Sequence, residues 1–230
     1  MIRFLDLNKQ YSDIKDEIDE AIKNVISETA FIGGKYVSQF EKEFAIYQES
    51  KYCIGVGNGT DALEIAIESL DLPLNSEIIV PANSFIASSE AITRSGHKVV
   101  FCDCDEKNYT ISISSLKSKI TKKTKAIITV HSYGCISNMY KIMKLAKKYK
   151  LYVIEDCAEA LGTYYKKKHA GLFGDASTFS FYGNKTISTG EGGMVSLKKE
   201  YDFKKAILYK NHGMEKKKNY FHVLPGLNFR

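Results

Sequence analysis

Lys185 is separated from the lysine clusters of this chain and lies among small hydroxyl residues. It follows residues 177–182, where small or hydroxyl residues alternate with aromatics as in a half-buried strand, and it precedes a glycine-rich run at 190–193. A lysine that is partly removed from water can be neutral and form a Schiff base. The alternative interpretation is an ordinary surface lysine in a turn.

A second candidate lies where an apolar run, 52–56, is broken by Gly57, Asn58, Gly59 and Thr60. Free backbone amides at the start of the following helix, together with a threonine hydroxyl, suit a phosphate group. A plain helix cap explains the same residues. A dinucleotide-binding loop is a third interpretation, but its third glycine is replaced by Thr60.

Two further candidates follow strand-like runs. Phe85 comes after the apolar run 77–80 and could stack on a planar cofactor or belong to the core. Asp156 follows the apolar run that begins at Leu151. A carboxylate at such a place is costly to bury without a cationic partner, so a structural ion pair is the alternative.

These four features together suit one cofactor, pyridoxal phosphate (PLP). Its phosphate needs N–H donors, its aldehyde needs a lysine, and its ring nitrogen needs an acid that keeps it protonated. Ligands of open parallel sheets bind at the carboxyl ends of the strands, where all four features are expected. A dinucleotide-dependent oxidoreductase is disfavoured, because it leaves Lys185 and Asp156 without roles.

The elements that must position these residues alternate between strand and helix. We predict an α/β fold with a mostly parallel sheet covered by helices on both faces. An amphipathic helix over 8–27 and a helix with a capping box at Ser38 and Glu41 precede it. The predicted strands are 52–56, 77–80, 99–102, 126–130, 151–155, 177–181 and 194–197, and the predicted helices are 61–70, 84–94, 113–120, 139–149 and 201–210.

Composition narrows the class of protein. The 230 residues, 44% hydrophobic and 26% charged, are typical of a globular domain, and the net charge of +6 comes from scattered lysine clusters that favour a solvated surface over a nucleic-acid site. The five cysteines show no zinc-binding spacing, so we expect no metal site. No apolar segment of membrane-spanning length occurs, and we expect a cytoplasmic protein without membrane partners.

Short motifs along nearly the whole chain resemble the DegT/DnrJ/EryC1/StrS sugar aminotransferases, which are PLP enzymes of fold type I. The resemblance implies a seven-stranded, mostly parallel sheet within a PLP-binding large domain that spans 1–230 and includes a helical segment over about 1–50. The Gly-Asn-Lys-Thr form at 183–186 resembles the perosamine-synthase-like branch. The motifs lie at 56–63, 80–85, 130–134, 154–160, 179–185, 190–194, 211–213 and 226–230.

The resemblance also implies the role of each residue around the cofactor ring. Lys185 would form the Schiff base and move protons, and Asp156 would pair with the ring nitrogen. Glu159, where many relatives have Gln, would lie near the ring hydroxyl, and Phe85 would stack on the ring.

At the phosphate, the resemblance implies Gly59, Thr60 and Ser180 as ligands. Asn228 matches a position that reaches the cofactor of a neighbouring subunit, so we expect a homodimer. The implied reaction transfers an amino group, with glutamate as donor, to a 4-keto-6-deoxy sugar linked to a nucleotide, for surface glycans such as lipopolysaccharide.

Members of this family continue past the position that matches Arg230 into a smaller carboxy-terminal domain, which the sequence lacks. We therefore expect either an enzyme or a truncated, non-catalytic remnant that binds cofactor or dimerises only.

Overall fold

The computed structural model describes residues 5–215 and 220–230. Contacts divide the chain into a small unit that ends at Phe40 and a larger unit that begins at Glu41. The small unit contains helices α1 (Leu7–Asp13) and α2 (Lys15–Ser27) and the first residues of α3 (Gly34–Tyr47).

Two predictions for this helical segment are wrong. The single helix predicted over 8–27 is interrupted at Ile14, whose φ of −126° and ψ of 17° are not helical. Asp16 and Glu17 lie in the first turn of α2, where acidic side chains favour a helix start. The capping box is also wrong, because Ser38 lies inside α3 rather than at its amino end.

The larger unit contains a seven-stranded sheet in the order β1-β9-β8-β5-β4-β2-β3, and a separate two-stranded hairpin, β6–β7. Within the seven-stranded sheet only β9 runs opposite to its neighbours, so the predicted mostly parallel sheet is confirmed. The strands are β1 (Tyr52–Val56), β2 (Glu77–Pro81), β3 (Lys98–Cys102), β4 (Thr124–Val130), β5 (Tyr152–Asp156), β6 (Tyr164–Tyr165), β7 (Lys168–His169), β8 (Ala176–Ser180) and β9 (Gly193–Leu197).

Helices cover both faces of this sheet because consecutive strand residues point to opposite sides. Ile78 and Val80 belong to one buried cluster, whereas Ile79 between them belongs to the other. Helices α4, α5 and α8 supply the first cluster, and α6 and α7 supply the second. The bounds are α4 (Gly59–Ser69), α5 (Ala87–Arg94), α6 (Ile113–Lys119), α7 (Met139–Tyr149) and α8 (Glu200–Lys210).

The predicted elements of this unit agree with the structure to within a few residues at their ends. Helix α7 shows why: Asn138 accepts a hydrogen bond from the amide of Lys141 at 3.2 Å, as an N-cap should. The short hairpin β6–β7 was not predicted, because two-residue strands carry no readable alternation. Among the described residues, no helix combines the length and the apolar character needed to cross a membrane.

Candidate active site

The carboxyl ends of β1, β2, β5 and β8 meet at one edge of the sheet and surround a cavity of about 650 Å³. A smaller cavity of about 290 Å³ adjoins it. The two cavities share four lining residues: Phe85, Asp156, Ala158 and Lys185. Three of the four features selected from the sequence therefore lie at the junction of one continuous cleft.

The amino terminus of α4 forms one wall of the larger cavity. Asn58 caps the helix by accepting from the amide of Asp61 at 2.8 Å. The helix begins at Gly59, two residues before its predicted start, so Gly59 and Thr60 occupy its first turn, where amides have no intrahelical acceptor. A Cβ on Gly59 would lie only 2.8 Å from Cβ of Ser180, which shows how closely this helix approaches the end of β8.

Phe85 lies in the loop between β2 and α5, and 78% of its surface is exposed. Its alternative assignment to the core is therefore wrong. An aromatic side chain that lines two adjoining cavities without being buried offers a planar surface to a ligand.

Asp156 is the last residue of β5, and its carboxylate is buried. One oxygen accepts from the amide of Ala158 at 3.1 Å and the other from the hydroxyl of Ser88 at 2.9 Å. Burial raises the pKa of Asp156, although these two hydrogen bonds act in the opposite direction. Within 5–215 and 220–230 no lysine or arginine forms a salt bridge with it, so the structural ion pair is not found at this carboxylate.

The neighbouring carboxylate, Glu155, is the structural one. Its oxygens accept from His131 Nε2 at 3.0 Å and from the amides of Gly171, Phe173 and Gly174 at 2.6–3.0 Å. Burial opposes ionisation, but the bond from His131 and the backbone amides outweigh it and lower the pKa of Glu155.

His131, Glu155 and Cys157 form the one group among the described residues whose ligand atoms are near enough to hold a metal. The second ring nitrogen of His131 accepts from the amide of Ser137 at 3.3 Å, so the histidine and the carboxylate are both engaged by the protein. Burial raises the pKa of the Cys157 thiol well above its usual range. This donor set supports packing and not metal binding.

Lys185 enters the cleft from the loop after β8 and is half-buried. Its Nζ lies 3.4 Å from Oε1 of Glu159, whose other carboxylate oxygen accepts from the amide of Tyr133 at 2.8 Å. Tyr133 has a φ of 53°, a left-handed conformation that its short turn holds in place. The interpretation of Lys185 as a solvated turn lysine does not describe this position.

Asn228 is the predicted site residue that the structure leaves outside the cleft. Its side chain is exposed, and its backbone pairs with Asn211 beyond the end of α8. The other predicted residues line one cavity or both; they are Gly59, Thr60, Phe85, Asp156, Glu159, Ser180 and Lys185.

Two hydroxyl residues of the cleft were missed in the sequence. Ser88 binds Asp156 directly, and Thr178 lines the larger cavity with a buried hydroxyl that has no hydrogen-bond partner among the described residues. Thr178 could have been found, because it lies two residues before Ser180 and therefore on the same face of β8. Ser88 could not, because its contact with Asp156 forms only after α5 has packed beside α4 and against the sheet.

The residues of this cleft fit PLP. The buried hydroxyl of Thr178 has no hydrogen-bond partner among the described residues, and the buried carboxylate of Asp156 accepts two hydrogen bonds but forms no salt bridge there. A polar ligand with a cationic group would supply both missing contacts. The open first turn of α4 suits a phosphate, and Phe85 presents a ring to a planar group.

Comparison with known proteins decides the family. The model of the DegT/DnrJ/EryC1/StrS aminotransferase family matches residues 12–230. The chain belongs to this family. Its aminotransferases depend on PLP, and a solved relative, ntda from Bacillus subtilis with bound cofactor PMP, superimposes with a TM-score of 0.93 at 32% identity, over 100% of this chain and 52% of that one.

The names of the curated relatives refer to sugars linked to nucleotides. The chain is 45% identical over 197 residues to a GDP-perosamine synthase of Escherichia coli O157:H7, which covers 86% of this chain and 54% of the relative. It is 41% identical over 231 residues to a dTDP-3-amino-3,6-dideoxy-alpha-D-galactopyranose transaminase of Aneurinibacillus thermoaerophilus, covering 100% of this chain and 63% of the relative. The chain thus spans less than two thirds of the length of these relatives.

Proposed function

We propose that this protein is a PLP-dependent aminotransferase that transfers an amino group from glutamate to a keto-deoxy sugar linked to a nucleotide. The observation that carries the proposal is the meeting of Lys185, the buried Asp156 and the exposed ring of Phe85 in one cleft beside a helix amino terminus. The names of the relatives support the class of nucleotide-linked sugars. The perosamine-synthase-like form of residues 183–186 supports a 4-keto-6-deoxy sugar.

The cofactor supplies an electron sink and carries the amino group between the two substrates. Lys185 holds it covalently and moves protons at the reacting carbon. Asp156 keeps a proton on the ring nitrogen, because a buried carboxylate without a cationic partner is stabilised by a cation beside it. Phe85 would orient the ring, and Glu159 would lie near the ring hydroxyl.

At the other end of the cleft, the amides of Gly59 and Thr60 and the hydroxyl of Ser180 bind the phosphate. We place Asn228 at the phosphate of a second subunit, which makes the active form a homodimer. This role agrees with its exposed position outside the cleft of its own chain. We place the reaction in the cytoplasm, in the synthesis of surface glycans such as lipopolysaccharide.

The direct test is amino transfer by the purified protein. With PLP and glutamate, we expect it to convert a GDP- or dTDP-linked 4-keto-6-deoxy sugar to the amino sugar, as followed by mass spectrometry. Lys185→Ala should abolish turnover, because Lys185 is the only lysine among the described residues that line the cleft. Wild-type turnover in Lys185→Ala would refute the assignment, and PLP binding without transfer would favour a non-catalytic remnant.

A further inference from the structure

The lining of the larger cavity carries more acidic than basic side chains. Among its described lining residues the only two basic ones are Lys185 and Arg94. A phosphate dianion in this cavity would therefore face a net negative lining, offset in part by the dipole of α4. Lys185 is committed to the aldehyde end of the cofactor, so the remaining cation is Arg94. The acidic lining residues are Asp61, Glu90, Asp156 and Glu191.

Arg94, the last residue of α5, is fixed near the phosphate cradle by the helix beside it. Its Nε lies 2.8 Å from Oε2 of Glu64, whose side chain is only 5% exposed. Glu64 lies four residues after Thr60 on α4, so the two share one helix face about one turn, ~5.4 Å, apart. The guanidinium group is thus paired with a residue that lies one helical turn after Thr60.

The ion pair leaves the terminal N–H groups of Arg94 available. Its Nε is engaged by Oε2 of Glu64, but its other N–H groups form no hydrogen bond with the described residues. Burial raises the pKa of Glu64, and Arg94 acts against that shift. A guanidinium group has five N–H donors, and its paired N–H groups match phosphate oxygens well.

We propose that Arg94 binds the phosphate group of the cofactor and supplies the cationic charge that the cradle at Gly59, Thr60 and Ser180 lacks. This inference rests on the proposed function, because it takes PLP as the ligand. Arg94 is half-exposed, with 47% of its side chain accessible, and it lines the same cavity as the cradle. Glu64 holds the guanidinium group of Arg94 in place, and the remaining N–H groups of Arg94 bind the phosphate.

Comparing PLP with pyridoxal, which lacks the phosphate, isolates this contact. We expect Arg94→Gln to raise the dissociation constant of PLP about 10- to 100-fold and to leave that of pyridoxal within about twofold, as measured by the absorbance of the bound ligand. Arg94→Lys should recover part of the loss. Lys98→Gln is the matched control, because Lys98 pairs with Glu77 outside this cavity and its loss should change neither constant.

Arg94→Gln leaves the Glu64 carboxylate buried without its cation, and this could weaken the fold. The double variant Glu64→Gln with Arg94→Gln removes both charges and should show the same loss for PLP alone. If Arg94→Gln weakened the binding of PLP and pyridoxal equally, so that the ratio of their dissociation constants stayed unchanged, the role of Arg94 would be overturned. A loss confined to the KM of the nucleotide sugar would overturn it as well. Failure of the wild-type protein to bind PLP would instead refute the proposed function.

Discussion

Two adjacent carboxylates, Glu155 and Asp156, have opposite environments. Glu155 accepts four hydrogen bonds from its own chain and has a lowered pKa, whereas Asp156 accepts two and has a pKa raised by burial. Consecutive residues of a strand point to opposite faces, which separates the two side chains. Glu155 stabilises the turn at 171–174, and Asp156 remains able to bind a cationic ligand.

Replacing Asp156 with asparagine should therefore stabilise the protein while reducing its function. Burial raises the pKa of Asp156 in the folded protein above its unfolded value of 3.8. The carboxyl group therefore begins to reduce the stability of the fold as the pH rises past 3.8, and the reduction is complete once the pH exceeds the folded pKa. Without cofactor, we expect Asp156→Asn to be more stable than wild type at neutral pH, with the difference vanishing in acid. Denaturant unfolding across pH measures this.

The same variant should lose kcat by about 100-fold or more, because asparagine cannot keep the ring nitrogen protonated. The gain in the free energy of unfolding that added PLP produces should also be smaller in this variant. A cofactor-free Asp156→Asn protein that is less stable than wild type at neutral pH would show that the carboxylate has a structural partner.

At the scale of single residues, the sequence predicted Lys185, Asp156 and Phe85 because each interrupts a recognisable pattern. Arg94 and Ser88 could not be predicted. Both lie on α5 in an ordinary amphipathic sequence, and their contacts with Glu64 and Asp156 exist only after α5 packs against α4 and the sheet.

At the scale of elements, the site depends on the contact between the first turn of α4 and the end of β8. Gly59 permits this contact, because any Cβ there would meet Ser180 at 2.8 Å. Gly193, the first residue of β9, is even closer to the start of α4, since a Cβ on it would lie 2.3 Å from the carbonyl oxygen of the N-cap residue Asn58. The glycine-rich run after Lys185 thus allows α4 to pack closely against β8 and β9.

Gly59→Ala should push α4 away from β8 and open the phosphate cradle. We expect a loss of about 1–3 kcal/mol in the free energy of unfolding, as for an overpacked site, and weaker PLP binding by about 10-fold. Gly183→Ala is the matched control in the loop that carries Lys185, because its added Cβ meets nothing within 4 Å. Calorimetry and PLP titration of both variants would test this, and equal behaviour of the two would contradict it.

The order of elements in the larger unit was predictable from apolar periodicity, but the helical segment before it was predicted incorrectly. Ile14 fits the four-residue spacing of isoleucines and nevertheless ends α1. Periodicity reports which face of a segment is apolar and does not report whether the backbone continues through it.

At the scale of the whole molecule, the mostly parallel sheet explains why residues more than 100 positions apart act together. The ends of β1, β2, β5 and β8 meet at one edge, so Gly59 and Lys185, far apart in the chain, line one cavity. Neither the exposed position of Asn228 nor the net acidic lining of the cavity could be predicted, because both depend on the assembled edge and not on a local pattern.

We propose that Lys185, among all the lysines of the chain, holds the cofactor. The most direct measurement adds PLP to the folded protein, reduces the bond with borohydride and locates the label by peptide mass spectrometry. We expect one label, on the peptide that contains Lys185, and we expect it to be lost in Lys185→Ala. A label distributed over exposed lysines, such as the cluster at 166–168, with none enriched at Lys185, would contradict it.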